Sequence, residues 1–188
     1  MKNIIAKFVN FITGWHVVVP EEFRVKKAVM IAAPHTSNWD LIHALPGLWL
    51  SGYRPRFFIK DDFKKFPVVN WLLKWVGAIW VNRSKNNNLI QHSVEMLNKE
   101  KDLLLLVPAE GTRSAAKRWK TGFYHIAKQA GLPILLSYLD YADKEAGVGK
   151  MIYPSDDFEK DMLEIENFYK NIHPKHPDNY NKQIFIRE

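Results

Sequence analysis

The sequence predicts an α/β fold: a three-layer αβα sandwich around a mostly parallel, mixed sheet of about seven strands, preceded by an amphipathic N-terminal helix. Three observations predict it. Apolar, β-branched runs alternate along the chain with segments of helical periodicity. Several of those runs, Leu103 to Val107 above all, are continuously apolar rather than alternating, as in strands covered on both faces. A length of 188 residues suits one domain with a full core and is too short for two comfortable ones.

In chain order, residues 1–15 come first. Ile4, Ile5, Phe8, Phe11, Ile12 and Trp15 recur at helical spacing, with Lys2 and Lys7 among the intervening positions. Such an amphipathic helix can lie in a membrane interface or pack on the domain's own core, and the spacing favours neither. No small-residue cleavage site follows it, which argues against a secretory leader. Residues 16–188 read as a single domain. Strands are expected near residues 28–34, 55–60, 77–82, 102–108, 133–139, 149–153 and 183–187, and helices near 39–51, 62–75, 86–99, 121–130 and 156–170. Asn38 or Ser37 can cap a helix starting at Trp39, and Gly131-Leu132-Pro133 ends one helix and launches a strand. Pro154-Ser155-Asp156-Asp157 opens the last helix with acids at its positive end. Trp71 and Trp75 share a helix face with Phe63 and Phe66, interleaved with Lys64, Lys65 and Lys74. That spacing favours core packing, with an interfacial surface as the alternative.

A net charge of +7 favours anionic partners: nucleic acid, a membrane surface or a phosphorylated substrate. No recognised nucleic-acid module is present, so nucleic acid is not an expected partner. The absence of cysteine excludes a disulfide scaffold and a cysteine zinc site, and it allows a reducing, cytoplasmic setting. No apolar run reaches the ~18 to 20 residues that a transmembrane helix needs. His43, His125, His173 and His176 are scattered without a motif such as His-Glu-x-x-His, so no metal is expected, and His173 to Pro177 reads as a surface loop.

Two segments carry the chemistry. The first, Pro34-His35-Thr36-Ser37-Asn38-Trp39-Asp40, joins an apolar strand to a helix. On one continuous helix, His35 and Asp40 would point roughly 140° apart. With the strand ending at Pro34 and the helix starting after Ser37 or Asn38, the chain turns between them and Asp40 can reach the imidazole. A carboxylate on one ring nitrogen fixes the tautomer and leaves the other free to take a proton, the arrangement of a general base. Capping roles for both residues are an equal alternative for this pair alone. The second segment, Glu110-Gly111-Thr112-Arg113, follows the run at 103–107, where open α/β sheets place ligand sites. Gly111 permits close backbone approach, Thr112 offers a hydroxyl and Arg113 can grip a phosphate bidentately. Glu110 is expected to hold Arg113 or another cation. Arg83 ends another apolar run, and Lys117, Arg118 and Lys120 follow the second segment.

These blocks resemble the glycerolipid acyltransferase superfamily, the PlsC-like 1-acylglycerol-3-phosphate acyltransferases. His35 to Asp40 is similar to the family's His-x4-Asp motif, Gly77 to Arg83 to the block ending in a substrate-binding arginine, Glu110 to Arg113 to the Glu-Gly-Thr-Arg block, and Leu132-Pro133-Ile134 to a later proline block. The four stand in the family's order across roughly residues 28–140. The resemblance implies that His35 is the general base and Asp40 its orienter, while Arg83, Glu110, Gly111, Thr112 and Arg113 bind the acceptor phosphate; Lys60 and Lys120 join them. It implies acyl transfer from an acyl thioester, acyl-CoA or acyl-ACP as co-substrate, to a lysophospholipid hydroxyl. No cofactor and no metal are implied, acyl carrier protein is a candidate partner, and attachment would be peripheral, on the cytoplasmic side of the membrane. Ala109 and Trp80 replace the family's usual proline and phenylalanine. Two alternatives stay open: an acyltransferase for another acceptor, such as an amino-acid lipid, and a non-catalytic membrane-surface lipid-binding protein.

Overall fold

The computed structural model describes residues 1–81 and 88–185. Seven strands form one sheet: β1 (His16–Val18), β2 (Lys27–Ala32), β3 (Pro55–Lys60), β4 (Ala78–Val81), β5 (Leu103–Val107), β6 (Ile134–Asp140) and β7 (Glu145–Ile152). Six helices accompany them: α1 (Lys2–Thr13), α2 (Trp39–Leu50), α3 (Pro67–Val76), α4 (Leu89–Lys99), α5 (Gly122–Ala130) and α6 (Phe158–Tyr169). The strand order is β1-β7-β6-β2-β5-β3-β4. The five strands from β6 to β4 run parallel, while β7 is antiparallel to β6 and carries β1 alongside it in parallel. The sheet is therefore mixed and mostly parallel, as the sequence predicts.

Alternation along the central strands builds the three layers. Ala28 and Met30 of β2, with Leu104 and Leu106 of β5, face a core that takes in α1, α2 and α3. Val29, Ile31, Leu103 and Leu105 face the opposite core, formed with α4, α5 and α6. Both faces of β2 and β5 are thus covered, which is why their sequences read as unbroken apolar runs.

Four departures from the expected elements have local causes. The helix expected over 62–75 starts at Pro67, because proline lacks an N–H and pushes Phe66 into extended backbone (φ −103°, ψ 103°); Asp61–Lys65 forms a separate 3-10 turn. The strand expected over 149–153 runs from Glu145 to Ile152. It is interrupted by two weak strand formers, Gly147 in its early half and Gly149 at its middle, because the Tyr138 and Phe168 rings occupy the space a Cβ would need, at 2.7 Å and 2.6 Å respectively. No strand forms over the described part of 183–187. The Ile184 N–H donates to Glu166 Oε2 and its carbonyl accepts from the Trp119 N–H, so its backbone groups are spent on a side chain and a loop. Residues 16–18, too short to stand out in the sequence, pair with Glu145, Ala146 and Gly147. Asn82 and residues 86, 87, 186 and 187, at the ends of expected elements, lie outside the described residues.

The tryptophan-rich helix divides its roles. Trp75 packs edge-on against Trp49 with ring centroids 5.4 Å apart, as core packing requires. Trp71 is 67 % exposed, and Phe63 and Phe66 are exposed too, so the core reading fails for these three; Val68 and Leu72 are exposed beside Trp71. On α1, Ala6 is buried, whereas Ile4, Phe8, Phe11 (83 %) and Ile12 face outward. Lys2 of α1 lies 5.1 Å from the Trp75 ring and 5.3 Å from the Trp49 ring, joining the two exposed apolar faces on one layer.

Candidate active site

β2 ends at Ala32, a cis Ala33–Pro34 bond turns the chain, and α2 begins at Trp39, so His35 and Asp40 lie on either side of a loop rather than along one helix. Ser37, not Asn38, supplies the cap: its Oγ accepts from the Trp39 N–H at 3.2 Å. The same turn lets Ser37 donate its backbone N–H to Asp40 Oδ2 at 2.9 Å. His35 Nδ1 lies 3.1 Å from that oxygen, and Nε2 has no hydrogen-bond partner among the described residues. A carboxylate accepting from Nδ1–H leaves Nε2 as the acceptor, the protonation state a general base needs.

Asp40 is 4 % exposed. Burial pushes its carboxyl upward, but hydrogen bonds from His35, from the Tyr141 hydroxyl and from the Ser37 N–H outweigh that and hold it below its ordinary range. The Tyr141 hydroxyl donates to Asp40 Oδ1 at 2.7 Å. Sequence reasoning missed this residue, since nothing in the spacing links position 141 to position 40; the turn between β6 and β7 brings it across the sheet. His43, one helical turn beyond Asp40, is buried and stacks on Trp15 with centroids 4.4 Å apart. Burial lowers its pKa, helped by Lys175, which keeps it neutral beside the dyad.

Glu110, 4 % exposed, turns inward from the end of β5 and accepts the backbone N–H of His35 at 2.7 Å. It does not hold Arg113, which is exposed and makes no ion pair among the described residues. The reason is direction: the carboxylate follows buried Ala109 into the sheet end, and the chain emerges only after the left-handed turn at Gly111 (φ +69°). Burial raises the Glu110 pKa to about 7, against the lowering effect of the His35 N–H. A Cβ at Gly111 would come within 2.8 Å of Lys120 Cε, so glycine is what allows the Lys120 stem to lie on this turn; the Lys120 N–H also donates to the Ala109 carbonyl at 2.8 Å.

The structure therefore brings together His35, Asp40 and Glu110 in one cluster, and Gly111 and Lys120 in a second beside it. Thr112 and Arg113 are exposed on the same loop, and Thr112 Oγ1 accepts from the Ser114 N–H at 3.3 Å. Lys60 is exposed at the carboxyl end of β3, at the same end of the parallel strands as the dyad, without a contact to it. Arg83 lies outside the described residues.

A cavity of about 630 Å³, its open mouth included, extends from the dyad between α2 and the sheet. His35 and Asp40 wall one part of it, and Ala44, Gly47, Ala146 and Val148 are among the residues that line the rest. Small side chains on α2 and β7 leave the space, and its lining is mostly apolar, with the dyad, Ser137 and Tyr138 as the polar members. No helix among the described residues is long and apolar enough to cross a membrane.

A family model described as Acyltransferase matches residues 15–136, the greater part of the chain, including the dyad, Glu110 to Arg113 and Lys120. No curated protein matches the chain. Since that family model covers most of the chain, the chain belongs to the acyltransferase family of the PlsC-like, glycerolipid type.

Proposed function

We propose that the protein moves a fatty acyl group from an acyl thioester to the hydroxyl of a lysophospholipid, with His35 as general base. The observation that carries this reading is the largely apolar cavity walled by His35 and Asp40, whose lining suits a hydrocarbon chain with its reactive end at the imidazole. In the reaction, His35 Nε2 accepts the acceptor's hydroxyl proton as the oxygen attacks the thioester carbonyl. The tetrahedral intermediate collapses with cleavage of the C–S bond, and the imidazolium returns the proton to the departing sulfur, giving an ester and a free thiol. Asp40 holds the imidazole in the required tautomer. Arg113 and Lys120, on the loop after β5, are the cations proposed to receive the acceptor's anionic headgroup, with Lys60 at the same end of the parallel strands and Arg83 beyond the described residues.

Peripheral attachment to a membrane is part of the proposal. It is supported by the outward apolar residues of α1 and α3, which share one layer with α2 and are flanked by Lys7, Lys64, Lys65 and Lys74. The test is to incubate the purified protein with acyl-CoA or acyl-ACP and a panel of lysolipids, following thiol and acylated product. Transfer to a lysophospholipid is expected, with His35→Ala slower by roughly 10²- to 10⁴-fold and still folded. Thiol release without acylated product would instead mean hydrolysis, and no release with any donor would mean a binding protein.

A further inference from the structure

The family match ends at residue 136, and the chain beyond it closes back over the dyad. Tyr141 donates to Asp40 Oδ1, whereas His35 and the Ser37 N–H use Oδ2. The Tyr141 ring is held on several sides. Trp15 meets it edge-on at 4.9 Å and His43 at 5.9 Å, and Lys175 Nζ lies 5.9 Å from its centroid. Its backbone N–H donates to the His173 carbonyl at 2.9 Å, and His173 is itself fixed by Asp140, with Nδ1 3.1 Å from Oδ2. Three residues on, the His176 N–H donates to Thr36 Oγ1 at 3.3 Å, tying the same segment to the loop that carries His35. The stretch from His173 to Pro177 is the surface loop its composition suggests, and it is tethered to Tyr141 and to the loop that carries His35.

A carboxylate turns readily about its last torsion, which has a broad two-fold profile. Rotation about that bond carries both oxygens together, so a donor on Oδ1, anchored from another strand, adds a restraint from the opposite side on the plane that Oδ2 presents to His35. We propose that Tyr141 is a positioning residue for acyl transfer, locking the Asp40 carboxylate so that Oδ2 stays aligned with His35 Nδ1. Burial and the Asp40 carboxylate keep the hydroxyl protonated, hence a donor. Tyr141 is not among the residues lining the cavity, and its hydroxyl acts through Asp40.

Tyr141→Phe keeps the ring and its contacts with Trp15, His43 and Lys175 and removes only the hydroxyl. The activity arm rests on the acyl-transfer reading: kcat should fall roughly 10- to 100-fold, the scale of one hydrogen bond to a charged group, with KM for donor and acceptor within about twofold. Wild-type kcat in a folded Tyr141→Phe protein overturns the assignment, as does a change confined to KM. The second arm needs no substrate. The low-field proton resonance of His35 Nδ1–H in the free protein should shift in Tyr141→Phe, and an unchanged resonance overturns the assignment whatever the enzyme's acceptor. Absence of turnover in both proteins together with a shifted resonance refutes the acyl-transfer reading while upholding the positioning role.

Discussion

Asp40 and Glu110 are two buried carboxyls serving one histidine, and their surroundings drive them apart. Asp40 receives three donors and stays ionised; Glu110 receives one and is pushed to about 7 by burial. The consequence for stability differs in sign. Between its ordinary value of 4.5 and about 7, Glu110 keeps a proton in the native state that the unfolded chain has released, so native stability falls as pH rises through that window. The whole effect is about 3 kcal/mol. Asp40 works the other way: its contribution is complete above the ordinary carboxylate value and is lost only as pH drops through its lower folded value. Glu110→Gln keeps an acceptor for the His35 N–H and cannot ionise, so its thermal stability should decline less than the wild type's between about pH 5 and 7.5. Melting curves that stay parallel across that range would show that Glu110 does not titrate as described.

At the scale of the element, α2 combines three duties: Asp40 at its first turn, Gly47 and Ala44 along the cavity, and Leu48 and Trp49 in the core. A Cβ at Gly47 would sit 3.5 Å from Ala146 Cβ, an ordinary contact, so a larger side chain can be built there only by growing into the cavity. Gly47→Leu should therefore discriminate against long acyl donors by roughly tenfold or more while sparing short ones, measured as kcat/KM across chain lengths. Equal effects on all lengths would separate the cavity from the acyl chain. Much of this was legible beforehand, because β2 and β5 are buried on both faces and so announce themselves, and the motif residues sit where those runs stop. What was not legible depends on contacts across the fold. Glu110 turns inward because of a left-handed residue that follows it, Tyr141 reaches Asp40 only once β6 lies beside β2, and β1 exists because β7 offers it an edge. The exposure of Trp71 was equally hidden, since an apolar helical stripe looks the same whether protein or lipid covers it.

Across the whole molecule, the helices segregate into a layer holding α1 to α3 with the dyad and the cavity, and a layer holding α4 to α6 that packs the other face. The first layer carries the outward aromatics, so the proposed lipid contact and the proposed chemistry share one side of the sheet. Combined substitution Phe11→Ser and Trp71→Ser should weaken binding to anionic vesicles by roughly tenfold or more per residue, with little change in Tm because both side chains are exposed. Raising the salt concentration should weaken binding further, given the net charge of +7. Unaltered vesicle flotation in the double variant would place the lipid contact elsewhere. The pairing of β1 with β7 also sets an order of events during synthesis. His16 to Val18 find their neighbours only when Glu145 to Gly147 have left the ribosome, and Trp15 waits as long for Tyr141. Through most of translation the apolar helix ahead of them can pack on α2 but has no finished sheet edge behind it.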